Sequence, residues 1–550
     1  MDGIPIFNRE KRKMKDNKDS TALSRLLAAG RGQRISRRTF MGHATATGLT
    51  ASAASGLWTS KVSAMTPAQG GTLRVAIHDA NTTDTNDPGQ YISVFMIHLA
   101  HASRSYLTQV MPDSTLGPDM ADSWRASPDA KVWTFELNKD ATFHDGRKFT
   151  SKDAVATIRH HLGEDSTSAA KSLLSNVVDV RADGDHTLVI ELDTGLADLP
   201  WILTDYHLAI VPADGDGNAD WKGGIGAGPY RVISFEPGVG ANLAKHEGWH
   251  GEGAYFNAIE LLAINDPNAR QTALVSGDVD AVSSVDLKTL SLLQKRPGIE
   301  ILNLPSGSAV TLPMHVNKAP FDDNNVRMAL KLAIDREDLI EKILFGTASV
   351  GNDFHISPSM PYYPAGIQQR AYDPDKAKWH LKEAGVDSLD LDMSAADSIM
   401  PGAVDFITLY SQHAKAANIN IKPIREPNDG YWTDVWLKKP FIFSKWGVRP
   451  TPDTIFTLAY KTGGSWSEAF WSNERFDELL LQAKSELDDT LRAEMYREMC
   501  EIARDEGGTI LPMFTNYVYA HSDKLGHAEQ VGATWELDGA RAYQRWWFKS

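Results

Sequence analysis

The stretch Phe321-Asp-Asp-Asn-Asn-Val-Arg-Met-Ala-Leu330, followed by Ala333-Ile-Asp-Arg336, decides how the second half of this chain folds. Its apolar residues recur at intervals of three and four, which predicts a helix over residues 325–334 with one buried face. Asp335 is a suitable N-cap for a second helix that runs to Leu344. Helices therefore dominate the chain from about this point onward.

Elements on either side of this stretch predict a mixed α/β chain. Alternating, β-rich segments upstream predict strands, whereas capped segments downstream with helical periodicity predict helices. The predicted strands and hairpin are 72–77, 132–137, 177–192 and 230–235, and the predicted helices start at Thr150 and Asp373 or cover 474–487 and 490–504. The chain has 550 residues, more than one hydrophobic core usually organises, so two or three lobes with a cleft are expected.

The first 64 residues differ from the rest and read as an export leader. Ser36-Arg37-Arg38-Thr39-Phe40-Met41 resembles the twin-arginine export motif, and a weakly apolar stretch follows from Ala44 to Thr59. Val62-Ser63-Ala64 is an A-x-A-like site, which predicts cleavage after Ala64 and release into the periplasm. The apolar stretch is too short and too polar to span a membrane.

Charge and cysteine content limit the possible partners. Residues 1–64 carry 12 basic and 4 acidic side chains, so the formal charge falls from −15 to −23 without them. An acidic protein is a poor ligand for nucleic acid or anionic lipid, and we expect neither nucleic-acid binding nor stable membrane insertion. Cys500 is the single cysteine, which excludes an internal disulfide and an N-terminal lipid anchor.

Five motifs in collinear order resemble one protein family. They are Leu116-Gly-Pro-Asp-Met-Ala-Asp-Ser-Trp124, Phe143-His-Asp-Gly146, Phe149-Thr-Ser-Lys-Asp-Ala-Val155, Gly226-Ala-Gly-Pro-Tyr230 and the stretch 321–336 quoted above. Together they resemble the extracellular solute-binding proteins of family 5, which include periplasmic binders of dipeptides, oligopeptides, nickel and opines. The resemblance covers essentially all of residues 71–550.

This resemblance implies an α/β fold of the two-lobed periplasmic-binding-protein type (type II) with an extra domain and a ligand cleft between the lobes. The implied parts are a signal peptide (1–64), a discontinuous first lobe (65–112, 221–306 and 515–550), an extra domain (113–220) and a second lobe (307–514). It also implies a monomer without cofactor or catalytic activity. Such a protein captures a small molecule or short peptide and delivers it to the permease subunits of an ABC importer.

Arg449 suggests which chemical group the ligand presents. Peptide-binding members of the family typically carry a Trp followed three residues later by an Asp that pairs with the peptide amino group. The corresponding stretch here begins at Trp446 and has Arg449 in place of that carboxylate. An arginine fork suits a carboxylate or phosphate and repels an ammonium group, so an anionic ligand group is expected. In the alternative register, Asp453 is the amine-binding carboxylate and Arg449 is a structural ion-pair partner.

Further ligand contacts are expected from aromatic side chains and one histidine. Trp446 is expected to form a flat wall beside the ligand, and Trp432, Tyr431 and Trp466 are further candidates that could equally pack in the core. His78, directly after the first strand, either reaches the cleft or lies in a surface loop.

Other sequence motifs give only weak support for a metal site or for an enzyme. His246-Glu-Gly-Trp-His250 fits the zinc-protease pattern, but Gly248 and the glycines that follow make the required helix improbable. His98 with His101, and His160 next to His161, are more typical of core or surface histidines than of a metal site. A nickel or haem chelate binder of the same family stays open as an alternative, and an exported enzyme is a weaker one.

Overall fold

The structure is a computed structural model that describes residues 67–550 except Ser398, Asn428–Gly430, Pro450 and Ser465. The twin-arginine motif and the cleavage site after Ala64 lie outside the described residues. One compact unit spans Gly70–Trp546, and the described residues 67–69 and 547–550 belong to a second unit, in which Ala68 and Phe548 form an antiparallel bridge.

Strands and helices alternate along the chain. The strands are β1 (Thr72–Ile77), β2 (Thr108–Val110), β3 (Leu116–Pro118), β4 (Ala121–Ala126), β5 (Val132–Leu137), β6 (Val177–Ala182), β7 (Thr187–Leu192), β8 (Tyr230–Glu236), β9 (Gly240–Lys245), β10 (Ala258–Ala263), β11 (Ala281–Val282), β12 (Ile299–Pro313), β13 (Ala348–Val350), β14 (Leu389–Ala395), β15 (Ile419–Arg425), β16 (Ser444–Trp446), β17 (Thr509–Ser522), β18 (Leu525–Gly526) and β19 (Trp547–Phe548).

The helices are α1 (Val94–Ser103), α2 (Ser151–Leu162), α3 (Leu199–Ile202), α4 (Pro267–Ser276), α5 (Leu290–Leu293), α6 (Asn324–Leu332), α7 (Arg336–Leu344), α8 (Pro374–Glu383), α9 (Ala403–Lys415), α10 (Tyr431–Asp434), α11 (Pro452–Ala459), α12 (Glu474–Ser485), α13 (Asp489–Glu506), α14 (Glu536–Ala540) and α15 (Ala542–Arg545). None of the described helices combines the length and hydrophobicity needed to cross a bilayer.

A nine-stranded sheet organises the compact unit. Its order is β16-β12-β17-β11-β1-β10-β9-β8, and β13 pairs with β17 beside this path. The two longest strands, β12 and β17, form an antiparallel ladder from Ile299 opposite Ser522 to Pro313 opposite Thr509, with register shifts on the way. They run from a strand-rich core that includes Ala76 and Val282 into the helix-rich part of the chain.

Two smaller sheets have cores of their own. The sheet β4-β5-β7-β6 packs on α2 and buries a cluster drawn from residues 107–227. The parallel pair β14-β15 packs on α9, and its cluster is drawn from residues 310–513. The predicted domain boundaries, which no observation tests, stay a prediction.

Local signals in the sequence are confirmed at several element ends. Asp335 is the N-cap of α7 and its carboxylate accepts from the backbone N–H of Asp338 (3.0 Å). The backbone N–H of Thr150 donates to the carboxylate of Asp153 (2.8 Å) at the start of α2. Helix α6 ends at Leu332, two residues before the predicted end, because the chain must turn before Asp335 can cap α7.

Candidate functional site

A cavity of about 900 Å³ lies against the end of β16 and the middle of β17. Residues from several other parts of the chain also line it, including α14 and the loop that precedes it. Its charged and aromatic lining residues are Trp201, Asp205, Tyr206, Lys445, Arg449, Trp466, Tyr517, Trp535, Glu536 and Arg541. The volume is in the range that small-molecule ligands occupy.

Arg449 lines this cavity in the segment after β16. Its Nη1 donates to the backbone carbonyls of Gly447 (3.2 Å) and Val448 (3.1 Å), and its guanidinium lies 5.6 Å from the ring centre of Trp446. Burial lowers the pKa of Arg449, while Tyr206 raises it. Within the described part of the chain no carboxylate lies within 4.0 Å of the guanidinium. The positive charge of Arg449 is therefore available to a ligand.

Lys445 and Glu536 also line the cavity. Burial lowers the pKa of Lys445, and the charge of Glu536 opposes this effect. Burial also raises the pKa of Glu536 to about 7, so the carboxyl group is only partly ionised at neutral pH. Its Oε2 accepts no hydrogen bond from the described residues. The charged lining residues are the cations Lys445, Arg449 and Arg541 and the acidic residues Asp205 and Glu536, so positive groups outnumber acidic ones, which favours an anionic ligand group.

A buried carboxylate holds the side chain of Trp446 in place. Trp446 is itself buried, and its Nε1 donates to Oε2 of Glu468 (2.9 Å). The same carboxylate accepts from Trp436 Nε1 (2.6 Å), Ser444 Oγ (2.6 Å) and Thr311 Oγ1 (3.1 Å). Three other donors thus fix the Glu468 carboxylate that holds the indole beneath Arg449, although Trp446 itself does not line the cavity.

Of the other three predicted aromatic residues, one lines the cavity and two pack inside the protein or on its surface. Trp466 lines the cavity, with its ring centre 5.9 Å from that of Trp446. Trp432 is half exposed and packs on Trp436, away from the cavity. Tyr431 is buried, and its hydroxyl donates to the backbone carbonyl of Phe443 (2.8 Å).

Asp453 lies at the start of α11 and outside the cavity lining. Burial and the nearby charge of Asp198 raise the pKa of Asp453 to about 6. Its Oδ1 is buried with no hydrogen-bond partner among the described residues, whereas Asp198 is paired with Arg492 at 2.5 Å. The structure therefore brings Arg449 and Trp466 to the cavity and leaves Asp453 in the protein interior.

His78 follows β1 but does not reach the cavity lining. Its Nδ1 lies 2.7 Å from Oγ of Ser283, and burial, together with the charge of Arg270, lowers its pKa to about 4. The imidazole is neutral at physiological pH and anchors the end of β1.

The histidines of the remaining motifs make packing and hydrogen-bond contacts with other residues of the protein. Residues 246–250 form a turn and not a helix, as predicted, so the zinc-protease pattern lacks the geometry it requires. His250 Nε2 lies 3.3 Å from Oδ1 of Asp119, and His246 packs against the ring of His144. His98 is buried in α1 and bonds the hydroxyl of Tyr543 (2.9 Å).

Sequence reasoning missed Lys445, Glu536, Tyr206 and Arg541. Lys445 had a usable signal, because it is the one charged residue in the run 441–446, in which every other residue except Ser444 is apolar or aromatic. The other three come from distant segments whose meeting point depends on the tertiary fold.

Comparisons with known proteins agree with this architecture. The model of the bacterial extracellular solute-binding proteins, family 5 (middle), matches residues 115–468. The nickel-binding periplasmic protein of Escherichia coli (strain K12) is 29% identical over 290 residues, which are 51% of this chain and 55% of that protein. The peptide transport periplasmic protein SapA of Salmonella typhimurium is 23% identical over 428 residues, or 71% and 77% of the two chains. The chain thus aligns with about half the length of the nickel-binding relative.

A solved structure confirms the predicted two-lobed periplasmic-binding-protein fold. The ABC transporter-associated periplasmic binding protein DppA from Helicobacter pylori, in complex with the peptide STSA, superposes with a TM-score of 0.67 at 20% identity. The superposition covers 90% of this chain and all of that one.

Proposed function

Because this chain belongs to the bacterial extracellular solute-binding proteins of family 5, we propose that it captures a small solute for an ABC importer. The solute is peptide-like or opine-like and binds through an anionic group. Arg449, which lines the cavity without a carboxylate neighbour among the described residues, is the observation that carries this proposal. A ligand carboxylate or phosphate would supply the missing counter-charge through two parallel hydrogen bonds.

The surrounding residues suit such a ligand. Lys445 adds a second cation beside Arg449, and Trp466 offers an apolar wall for the rest of the molecule. Asp453 supports the amine-binding alternative poorly, because it is buried beside Asp198 and does not line the cavity. The ligand therefore makes its main polar contact through Arg449, and Trp446 supports that contact from below.

A metal chelate in the same cavity is the second candidate, because the matched relatives include a nickel-binding protein. Two histidines line the cavity, and His207 has both ring nitrogens engaged, by Asp205 (2.6 Å) and by the backbone carbonyl of Tyr91 (2.7 Å). A metal would thus arrive already held by an organic carrier. A carboxylate of that carrier would meet Arg449 in the same way as an opine.

The relatives are periplasmic, and we place this chain in the periplasm as a monomer that docks on permease subunits. Export follows the twin-arginine route through Arg37 and Arg38, with cleavage after Ala64. N-terminal sequencing of the exported protein tests the route. A mature chain that begins at Met65 agrees with it, and a chain that retains the leader contradicts it.

Thermal shift with matched ligand pairs tests the anionic contact. Each pair differs at one group: free or amidated carboxylate, and free or acetylated amine, in dipeptides, tripeptides, opines and carboxylate-bearing nickel or iron chelates. A ligand that binds only the folded state raises the melting temperature. We expect stabilisation to follow the carboxylate and to survive amine acetylation. If stabilisation instead requires the free amine and survives amidation, the anionic contact is wrong.

A further inference from the structure

Three potential metal ligands meet on the large sheet, outside the cavity described above. Glu300 of β12 and His521 of β17 are directly opposite each other in the antiparallel ladder. A turn after β17 and the short strand β18 then return His527 to the same place. One ligand atom from each residue lies within 4.8 Å of the other two, and His521 Nε2 is 3.9 Å from Glu300 Oε2.

Hydrogen bonds fix the tautomer of both imidazoles. His521 Nδ1 lies 2.9 Å from the backbone carbonyl of Ser522, and His527 Nδ1 lies 2.7 Å from that of Ala528. A carbonyl oxygen only accepts, so each Nδ1 must carry the proton and donate it. Protonation at Nδ1 leaves Nε2 as the ring nitrogen that can bind a metal ion. This is the arrangement by which metal-ligating histidines are usually oriented.

We propose that Glu300, His521 and His527 bind one divalent transition-metal ion, with Zn²⁺ as the reference case. Two imidazole nitrogens and one carboxylate oxygen are a donor set that Zn²⁺ and its neighbours accept, with water in the remaining position. Tetrahedral metal–ligand bonds of about 2.0–2.2 Å place donor atoms about 3.3–3.6 Å apart. The donors, with one pair at 3.9 Å and all within 4.8 Å of one another, must therefore close in by at most about 1.5 Å to bind an ion.

The surroundings favour a structural role for the ion. The ring of Trp546 packs on both histidines, with ring centres 4.9 Å from His521 and 5.3 Å from His527. The side chain of His521 is buried, whereas that of Glu300 is 45% exposed and leaves a route for the ion. Binding would tie β12, β17 and the following turn together. The ion therefore stabilises the sheet and plays no part in holding the transported solute.

Calorimetric titration with Zn²⁺ alone tests the site, with untagged mature protein that has been dialysed against a chelator. We expect one equivalent to bind and the melting temperature to rise with Zn²⁺. Glu300→Gln and His527→Ala should each weaken binding by at least about tenfold, because each removes one direct ligand. These two positions are used because they are accessible, whereas a change at buried His521 would disturb the core.

Matched variants separate this site from the cavity. Glu529→Gln removes an exposed carboxylate two residues from His527 and should bind Zn²⁺ like the wild type. Arg449→Gln should also leave the Zn²⁺ titration unchanged. Wild-type protein that binds no equivalent of Zn²⁺ would overturn the proposal, as would unchanged affinity in both Glu300→Gln and His527→Ala. Neither result bears on the solute proposed for the cavity.

Discussion

Arg336 and Arg370 are buried with Asp353 between them, whereas Arg449 lines the cavity with no carboxylate beside it among the described residues. Asp353 accepts from Arg336 Nη2 (2.8 Å), Arg370 Nε (2.9 Å) and the backbone N–H of Leu511 (3.1 Å). Burial alone would raise the pKa of Asp353, but the charges of Arg336, Arg370 and buried Lys331 lower it. The carboxylate therefore stays ionised inside the protein.

The difference between the two regions lies in where the counter-charge comes from. Around Asp353 the chain supplies it, and the arginines connect α7 with the segments near residues 353 and 370. At Arg449 the described residues supply two backbone carbonyls and the face of Trp446. A buried charge is costly without a partner, so the first arrangement stabilises the folded protein, and we propose that a ligand completes the second.

The largest expected effect is a loss of stability when the ion pairs of Asp353 with Arg336 and Arg370 are broken. Asp353→Asn keeps the shape of the side chain but leaves buried Arg336 without its anion and Arg370 with Asp505 as its remaining carboxylate partner. We expect a loss of about 3–5 kcal/mol in the free energy of unfolding, measured by urea denaturation at pH 7. Asp375→Asn is the matched control, because Asp375 pairs with Lys378 at the surface with its side chain 92% exposed. A similar loss in both variants would contradict the comparison.

A substitution of Arg449 is expected to change stability less and to change ligand binding strongly. Arg449→Gln removes a cation that has no carboxylate partner among the described residues, so the unfolding free energy should stay the same or rise. Affinity for a carboxylate ligand found in the thermal-shift panel should fall by about 2–5 kcal/mol, measured by calorimetry. Arg231→Gln, at an exposed position on β8, is the control. Unchanged affinity in Arg449→Gln would remove the distinction between the two regions.

The smallest expected effect is a pH-dependent change in stability that comes from Asp453. This carboxylate is buried, and nearby positive charges do not fully compensate its negative charge. The pKa of Asp453 is about 6 in the folded protein and 3.8 for the free side chain. At pH values between these two, the protein therefore takes up a proton at Asp453 when it folds. Stability should therefore fall as pH rises from about 4 to about 6. Asp453→Asn should remove this dependence and add on the order of 1–2 kcal/mol at pH 7.5, because the favourable helix N-terminus offsets part of the burial cost.

Denaturation of both proteins at pH 4 and pH 7.5 checks this prediction, since the gain should vanish at pH 4. Binding of the carboxylate ligand should be unaffected by Asp453→Asn. Loss of that binding would instead favour Asp453 as the ligand-contacting residue.

The sequence predicted the fold well where the signals are local or form a motif. Asp335 caps α7 as expected, and the strands 72–77 and 132–137 are present over the predicted residues, because capping and alternation depend on neighbours in the chain. The collinear motifs predicted the two-lobed fold. These successes need no knowledge of long-range contacts.

The cavity was predicted only in part. Arg449 and Trp466 line it, whereas His78, Tyr431 and Trp432 do not, and ligand contact by any of these residues stays a prediction. An aromatic residue has the same sequence signal whether it packs in a core or faces a ligand, since both environments reward apolar area. Glu536 and Tyr206 could not be found at all, because only the tertiary fold brings such distant segments to Arg449.

The place of β17 in the large sheet has a consequence for the order in which the chain is made. This strand, residues 509–522, lies between β12 and β11, so the sheet has no connection at its centre until the ribosome has passed residue 522. A nascent chain of about 500 residues carries the open edges of β11 and β12, and open edges invite pairing with other chains. Assembly of the sheet is therefore a late, nearly post-translational event, and a chain released before residue 509 is expected to aggregate.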